Sequence, residues 1–243
     1  MPNPFFRFKQ FTVYHDRCAM KVTTDACLFG AWTAEIIGKK QPAISNERFL
    51  DVGAGTGLLS LMVAQQIKCQ IDAVEIEAGA AEQAKENIAA SPWKGSIHVI
   101  NEDVLQWKPN MKYGIIFSNP PFYENEIRSE KREKNMAHHD SGLKLEALLC
   151  FIKENLEADG IFFLLLPAKR KTELALLLEK HDLFPERIVQ VQQTVKHQPF
   201  RLMLQGCLKN SEETNEGLLA IKDSGDAYTP SFIRLLHPYY LYL

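Results

Sequence analysis

The 243 residues suffice for one large domain with a full core, or a domain with a small appendage. At 46% hydrophobic and 24% charged the composition is that of an ordinary soluble globular protein, and the longest apolar run, IFFLLL at 161–166, is strand-sized rather than membrane-spanning. Lys plus Arg number 28 against 30 for Asp plus Glu, so the formal charge of -2 gives no whole-chain attraction to a polyanion, and any nucleic-acid contact has to come from local patches.

In chain order, MPNPFFRFKQ is broken by prolines and charges and lacks the apolar middle of a secretory signal. Phe5, Phe6, Phe8 and Phe11 partly alternate as a strand would, which reads as core packing. Strands are predicted at 48–52 (RFLDV), 70–75 (QIDAVE), 96–100 (SIHVI), 113–118 (YGIIFS) and 161–166 (IFFLLL). Helical spacing falls between several of them, in LLSLMVAQQI, AGAAEQAKENIAAS and LKLEALLCFIKENL, and again in KRKTELALLLEKHD, which should stop near Pro185. Repeated strand-then-helix implies α/β architecture with a mainly parallel, doubly wound sheet covered on both faces. The runs at 187–195 and 200–209 are joined by KHQP, too short for a helical crossover, so the sheet should end in an antiparallel hairpin. Residues 209–227 are polar and turn-rich, a surface loop with at most a short strand at LLAIK. Tyr239, Tyr240 and Tyr242 read as a packed edge strand or helix. One domain over 1–243 accommodates all of this, with an N-terminal segment (1–47) packed on the ligand side, a core (48–209) and a C-terminal loop and edge element (210–243).

The first core strand runs into DVGAGTG at 51–57 and then a helix, so glycines stand where the chain turns sharply and a ligand must approach the backbone. The spacing is G-x-G-x-G rather than the G-x-G-x-x-G of dinucleotide folds, with Leu58 in the place of the third glycine. With Asp51 preceding the loop, this suits a ligand carrying an adenosine and a positively charged tail. Glu75 ends the second strand, where a carboxylate can accept both ribose hydroxyls; a bare solvent-facing acid is the plainer reading, and the neighbouring glycine loop outweighs it. Asp103 can accept from an adenine amino group or serve as a helix cap or turn residue.

The fourth strand ends in Asn119-Pro120-Pro121-Phe122-Tyr123. Two prolines stiffen the backbone, so the Asn119 side-chain oxygen and the Pro120 carbonyl become fixed acceptors for an amino group, while Phe122 offers a flat face for a base. An ordinary Pro-rich turn would look similar in isolation.

DVGAGTG, AVEIE, EDV and SNPPF, in this order, resemble class I S-adenosylmethionine-dependent methyltransferases of the branch that modifies exocyclic amino or amide nitrogens. FKQFTVYHDRCAMKVTTDACLFGAW at 8–32 and the C-terminal YTPSFIRLLHPYYLYL further resemble the bacterial tRNA1(Val) adenine N6-methyltransferases. The resemblance implies a Rossmann-like methyltransferase sheet, S-adenosylmethionine as cofactor and tRNA as partner, with the anticodon loop as the element bound. It gives cofactor contacts to Asp51, Gly53, Gly55, Gly57, Glu75 and Asp103, brings Thr24 and Asp25 to the methionine end, and places catalysis on Asn119, Pro120 and Phe122. Substrate contacts would include Pro121 and Tyr123, with phosphates met by Arg128, Lys131, Arg132 and Lys134 and, after the fifth strand, by Lys169 and Arg170 of KRK. Glu124, Glu126, Glu130 and Glu133 offset the first basic cluster.

His138-His139 stands where that family is expected to carry Arg-His, and with no companion Cys or His at ligand spacing no metal site is expected. Five scattered cysteines, Cys18, Cys27, Cys69, Cys150 and Cys207, never spaced as C-x-x-C, fit a reducing cytoplasm. A monomer is expected. Glutamine N5-methylation of release factors can use the same Asn-Pro-Pro cradle, but those enzymes usually carry a sizeable N-terminal helical domain for which the stretch before residue 48 leaves no room. Guanine N2 methylation, DNA adenine methylation and a non-catalytic nucleotide-binding module are also compatible with these residues.

Overall fold

A computed structural model of the chain describes residues 3–18, 20–40, 47–120, 143–210 and 213–243. Strands β1 (Phe5–Arg7) and β2 (Thr12–Tyr14) pair antiparallel. Helix α1 (Thr24–Lys40) follows, an element the sequence patterning does not announce. Its residues 26–34 are all buried, so no polar stripe marks its period.

The apolar runs become β3 (Arg48–Val52), β4 (Gln70–Glu75), β5 (Ile97–Asn101), β6 (Tyr113–Ser118) and β7 (Leu156–Pro167), alternating with α2 (Leu58–Gln66), α3 (Ala78–Ala89) and α4 (Leu145–Asn155). A 3₁₀ turn at Ala168–Arg170 leads into α5 (Lys171–Lys180), and β8 (Phe184–Thr194), β9 (Pro199–Cys207), β10 (Asn215–Lys222) and α6 (Pro230–Leu236) complete the order. Among the described residues eight strands form one sheet in the order β10-β8-β9-β7-β6-β3-β4-β5. Every pairing is parallel except the two made by β9.

The hairpin expected from the short link is therefore present as β8–β9, but it does not end the sheet. The turn-rich stretch after it supplies β10, longer than LLAIK and parallel to β8, as the true edge. Pro185 lies within β8 rather than terminating a helix. It faces Gly206 of β9 at a register shift, two residues before β10 begins pairing at Arg187, a bulged strand start of the kind where proline is tolerated.

Two apolar layers sandwich the sheet. One gathers α1, α2 and the N- and C-terminal aromatics around Phe49, Phe117 and Phe163; the other sets α4 and α5 against Ile116, Phe162 and Leu164. Phe8 and Phe11 enter the core as expected, whereas Phe5 is partly exposed. Tyr239 is buried and donates its hydroxyl to Met62 O at 3.1 Å, and Tyr240 bridges to Phe8; Tyr242, by contrast, is 95% exposed.

Gly206 is required by close approach rather than by its backbone angle. A Cβ there would lie 2.5 Å from the ring of fully buried Phe162 and 3.0 Å from Phe184 O. Gly206→Ala should destabilise the chain by about 1–3 kcal/mol, seen as a lower urea midpoint with an unchanged m-value.

Candidate active site

From β3 the chain winds outward through β4 and β5, then returns to place β6 on the other side of β3. In a doubly wound sheet this reversal opens a crevice above the carboxyl ends of the two central strands. Val52 at the end of β3 faces Ser118 at the end of β6, and the buried Ser118 hydroxyl donates to Val52 O at 2.7 Å. The glycine loop and Asn119 therefore leave the sheet side by side, cross-linked at their roots.

The loop owes its course to glycine: φ is 72° at Gly53, 55° at Gly55 and 79° at Gly57. Two of these serve different ends. At Gly53 an added Cβ would meet nothing within 4 Å, so its surface faces open space suited to a ligand. At Gly57, which caps α2, a Cβ would come 3.3 Å from Ile88 Cδ1 on α3; this residue, not the position of Leu58, provides the tight helix contact. Gly53 N and Ala54 N both donate to Val74 O, tying the loop to β4.

Glu75, at the end of β4 and nearly buried, holds the next corner. Its Oε2 accepts from Gly55 N at 2.8 Å and its Oε1 from Glu77 N at 2.8 Å. Each oxygen keeps a second lone pair, so the carboxylate is oriented and still able to accept two hydroxyls. Asn101 supports it from β5, donating to Glu75 O at 2.8 Å and Ile76 O at 3.1 Å, a role with no signal in the linear sequence. Asp103 is visibly a turn-former: its Oδ1 accepts from Leu105 N at 3.0 Å and its Oδ2 from Gln106 Nε2 at 3.1 Å. On either side of it in the chain, Ile76 and Leu105 leave 55% and 49% of their surfaces in solvent, apolar area that hydrophobic spacing alone does not single out.

Asp51 lies beneath the loop, fully buried. One carboxylate oxygen accepts from Ser60 N at 3.2 Å and Ser60 Oγ at 2.7 Å, while Oδ1 has no partner among the described residues. Burial pushes its pKa up to about 7, against the pull of the Ser60 hydrogen bonds. An orphaned buried carboxyl oxygen beside the glycine loop fits a ligand with a cationic tail. For the ligand-free chain the sign is set: an acid raised in the folded state holds its proton between about 4 and 7 while the unfolded chain has lost it, so stability falls as pH rises through that window. Asp51→Asn should therefore lose less thermal midpoint between pH 5 and pH 8 than the wild type, by scanning calorimetry; parallel curves would remove the raised carboxyl.

The N-terminal segment is stitched over this region. Asn87 on α3 accepts from Tyr14 N at 2.9 Å and donates to Tyr14 O at 2.9 Å and to Thr56 O of the glycine loop at 3.0 Å. Gln83 accepts from Arg17 N and donates to Asp16 Oδ1, both at 2.9 Å. Cys18 Sγ comes within 3.7 Å of where a Cβ on Gly55 would sit. Thr24 opens α1 in an exposed position, and the Asp25 carboxylate accepts from Arg201 Nε at 2.6 Å.

Asn119 is half-buried and Pro120 buried, and among the described residues the Asn119 amide has no hydrogen-bond partner. Pro121, Phe122, Tyr123, Arg128, Lys131, Arg132, Lys134 and the His138-His139 pair lie outside the described residues. Lys169 and Arg170 occupy the 3₁₀ turn after β7, at the carboxyl edge as expected, but Arg170 is engaged by Glu173 through Nε at 2.7 Å and Nη2 at 2.6 Å. Among the described residues no three His, Cys, Asp or Glu side chains could hold a metal, and no helix is long and apolar enough to cross a membrane.

The family described as methyltransferase small domain matches residues 34–179. Among curated proteins, the tRNA1(Val) (adenine(37)-N6)-methyltransferase of Bacteroides thetaiotaomicron is 37% identical over 100% of both chains. The protein of that name from Phocaeicola vulgatus is 35% identical over 99% of each, and that from Yersinia pestis 36% identical over 97% of this chain and 93% of its own. Among solved structures, a predicted O-methyltransferase from Agrobacterium tumefaciens superposes with a TM-score of 0.63 at 16% identity, covering 88% of this chain and 95% of that one. A glycopeptide N-methyltransferase complexed with S-adenosylmethionine gives 0.54 at 11% identity over 74% of this chain and 94% of its own. At such identities the superpositions speak for the fold alone, a class I methyltransferase sheet.

Proposed function

The chain belongs to the family of tRNA1(Val) (adenine(37)-N6)-methyltransferases, and on that premise we propose that it transfers a methyl group from S-adenosylmethionine to N6 of an adenine in tRNA, adenine 37 of tRNA1(Val). The observation that carries this reading is the Asn119 amide at the end of β6, without a hydrogen-bond partner among the described residues and beside the open face of Gly53.

The residues present fit the cofactor. Glu75 would accept the ribose hydroxyls, Ile76 and Leu105 would flank the adenine with Asp103 at its edge, and the orphaned oxygen of Asp51 would face the cationic methionine end, approached by Thr24 and Asp25. When bound, S-adenosylmethionine supplies a methyl already activated on a sulfonium. The chain's task is then alignment and charge stabilisation. The adenine amino lone pair is delocalised into its ring and is a poor nucleophile. Accepting hydrogen bonds from its two N–H groups, the Asn119 side-chain oxygen and the Pro120 carbonyl would favour a pyramidal nitrogen and stabilise the positive charge that develops there, so no general base is needed during transfer and the acidic N–H of the methylated cation gives its proton to water afterwards. Phe122 would stack the base extruded from the loop. The enzyme would work as a monomer in the cytoplasm, holding the anticodon loop.

Labelled methyl transfer to total tRNA and to release factor, run in parallel with nucleoside and amino-acid analysis, tests the reading. N6-methyladenosine in tRNA is expected. Label in a glutamine of release factor, or cofactor binding without transfer, would overturn it.

A further inference from the structure

We propose that Arg201, on β9, grips a backbone phosphate of the RNA strand next to the extruded nucleotide, with Phe200 as its platform. The proposal rests on the function above and specifies where its substrate lies.

Position comes from the sheet register. Arg201 faces Pro167 at the end of β7, and Leu164 of the same strand faces Ser118. Asn119 is thus level with the residue after Leu164, and Arg201 stands two strands across and two residues higher. With about 4.8 Å between strands and about 3.3 Å per residue, the two backbones are roughly 12 Å apart on the same edge of the sheet. A strand whose base enters the crevice at Asn119 passes over Arg201.

The chemistry comes from how the guanidinium is held. Its Nε donates to Asp25 at 2.6 Å, and its carbon lies 5.5 Å from the centre of the Phe200 ring. Among the described residues Nη1 reaches only Phe200 O, at 3.5 Å, and Nη2 has no partner. An ion pair with 37% of the Arg201 side chain exposed contributes little to stability. What it does is fix the plane of the fork, leaving the Nη edge to bind a phosphate in two-point fashion. The other cations of this edge differ: Arg170 is committed to Glu173, and Lys222 to Asp226. Lys196 in the β8–β9 turn, its Nζ donating to Ser224 O at 3.5 Å, extends the same track.

The test compares Arg201→Gln, Arg201→Lys and Asp25→Asn, measuring tRNA affinity by fluorescence anisotropy across a salt series and cofactor affinity by calorimetry. Arg201→Gln should weaken tRNA binding about 5- to 20-fold at low salt and reduce the slope of log affinity against log salt by about 0.7–1. It should raise KM for tRNA with little change in kcat. Arg201→Lys should restore the slope but not the full affinity, and Asp25→Asn should keep the slope. An unchanged slope in Arg201→Gln would overturn the proposal. So would a cofactor affinity that falls while tRNA binding holds, since Arg201 would then merely orient Asp25. The slope is read from binding alone, so a wild type that binds tRNA without methylating it fails the function reading while this contact is still decided.

Discussion

Asn119→Ala is expected to lower kcat for tRNA methylation by about 10³-fold while leaving the cofactor dissociation constant within about twofold. The magnitude follows from removing one preorganised acceptor aimed at charge that appears only in the transition state, a loss of about 10²–10³ per group, with loss of alignment added. The selectivity follows from where the residue sits. Asn119 leaves β6 opposite the end of β3, its amide has no partner among the described residues, and the glycine loop and Glu75 are tied to β4 rather than to it. Among the described residues, no hydrogen bond of the glycine loop or of Glu75 involves the amide. Asn119→Asp keeps an acceptor and adds charge, so it should retain part of the rate. Single-turnover transfer at saturating tRNA and cofactor, set beside calorimetric titration of the cofactor, separates the two quantities; full activity in the alanine variant would end the assignment.

The parts of this site that could be read from the chain are those in which local backbone and local chemistry coincide. Positive φ at Gly53, Gly55 and Gly57 leaves a glycine signature whatever surrounds it, and β3 and β6 announce themselves because they are buried on both faces and are therefore apolar throughout. Where tertiary contact decides, the signal fades. Helix α1 is enclosed between α2 and α6, with Gly30 close enough that a Cβ would meet Met62 Sδ at 2.8 Å, so the stripe that reveals an amphipathic helix is missing. Strand β10 is a half-exposed edge with polar and apolar residues mixed, and patterning alone reads it as loop. Ser118 with Val52, and Arg201 with Asp25, are pairs made across 66 and 176 residues, and no spacing rule reaches that far.

Glu75→Ala should raise the cofactor dissociation constant about 10²-fold and leave kcat, once cofactor saturates, within a few-fold of wild type. A hydrogen bond to a charged group contributes about 1.5–3 kcal/mol, and of the two ribose contacts even the lower figure gives about 3 kcal/mol, or some two orders of magnitude. The same carboxylate also holds Gly55 N and Glu77 N, so the loop itself should loosen and the thermal midpoint of the ligand-free variant should drop. Glu75→Gln separates these effects: the amide keeps one acceptor but turns an NH₂ toward a backbone N–H, so one of the two anchors is broken whichever way it flips. It should bind cofactor nearly as poorly as alanine does, because the carboxylate must accept at both oxygens at once. A glutamine variant with wild-type affinity would mean that the carboxylate serves the loop and not the ribose. Set beside Asn119→Ala, the expected outcome is a clean division: one end of the crevice should govern how tightly cofactor is held and the other how fast the methyl moves, the two joined at their roots by the hydrogen bond from Ser118 to Val52 O.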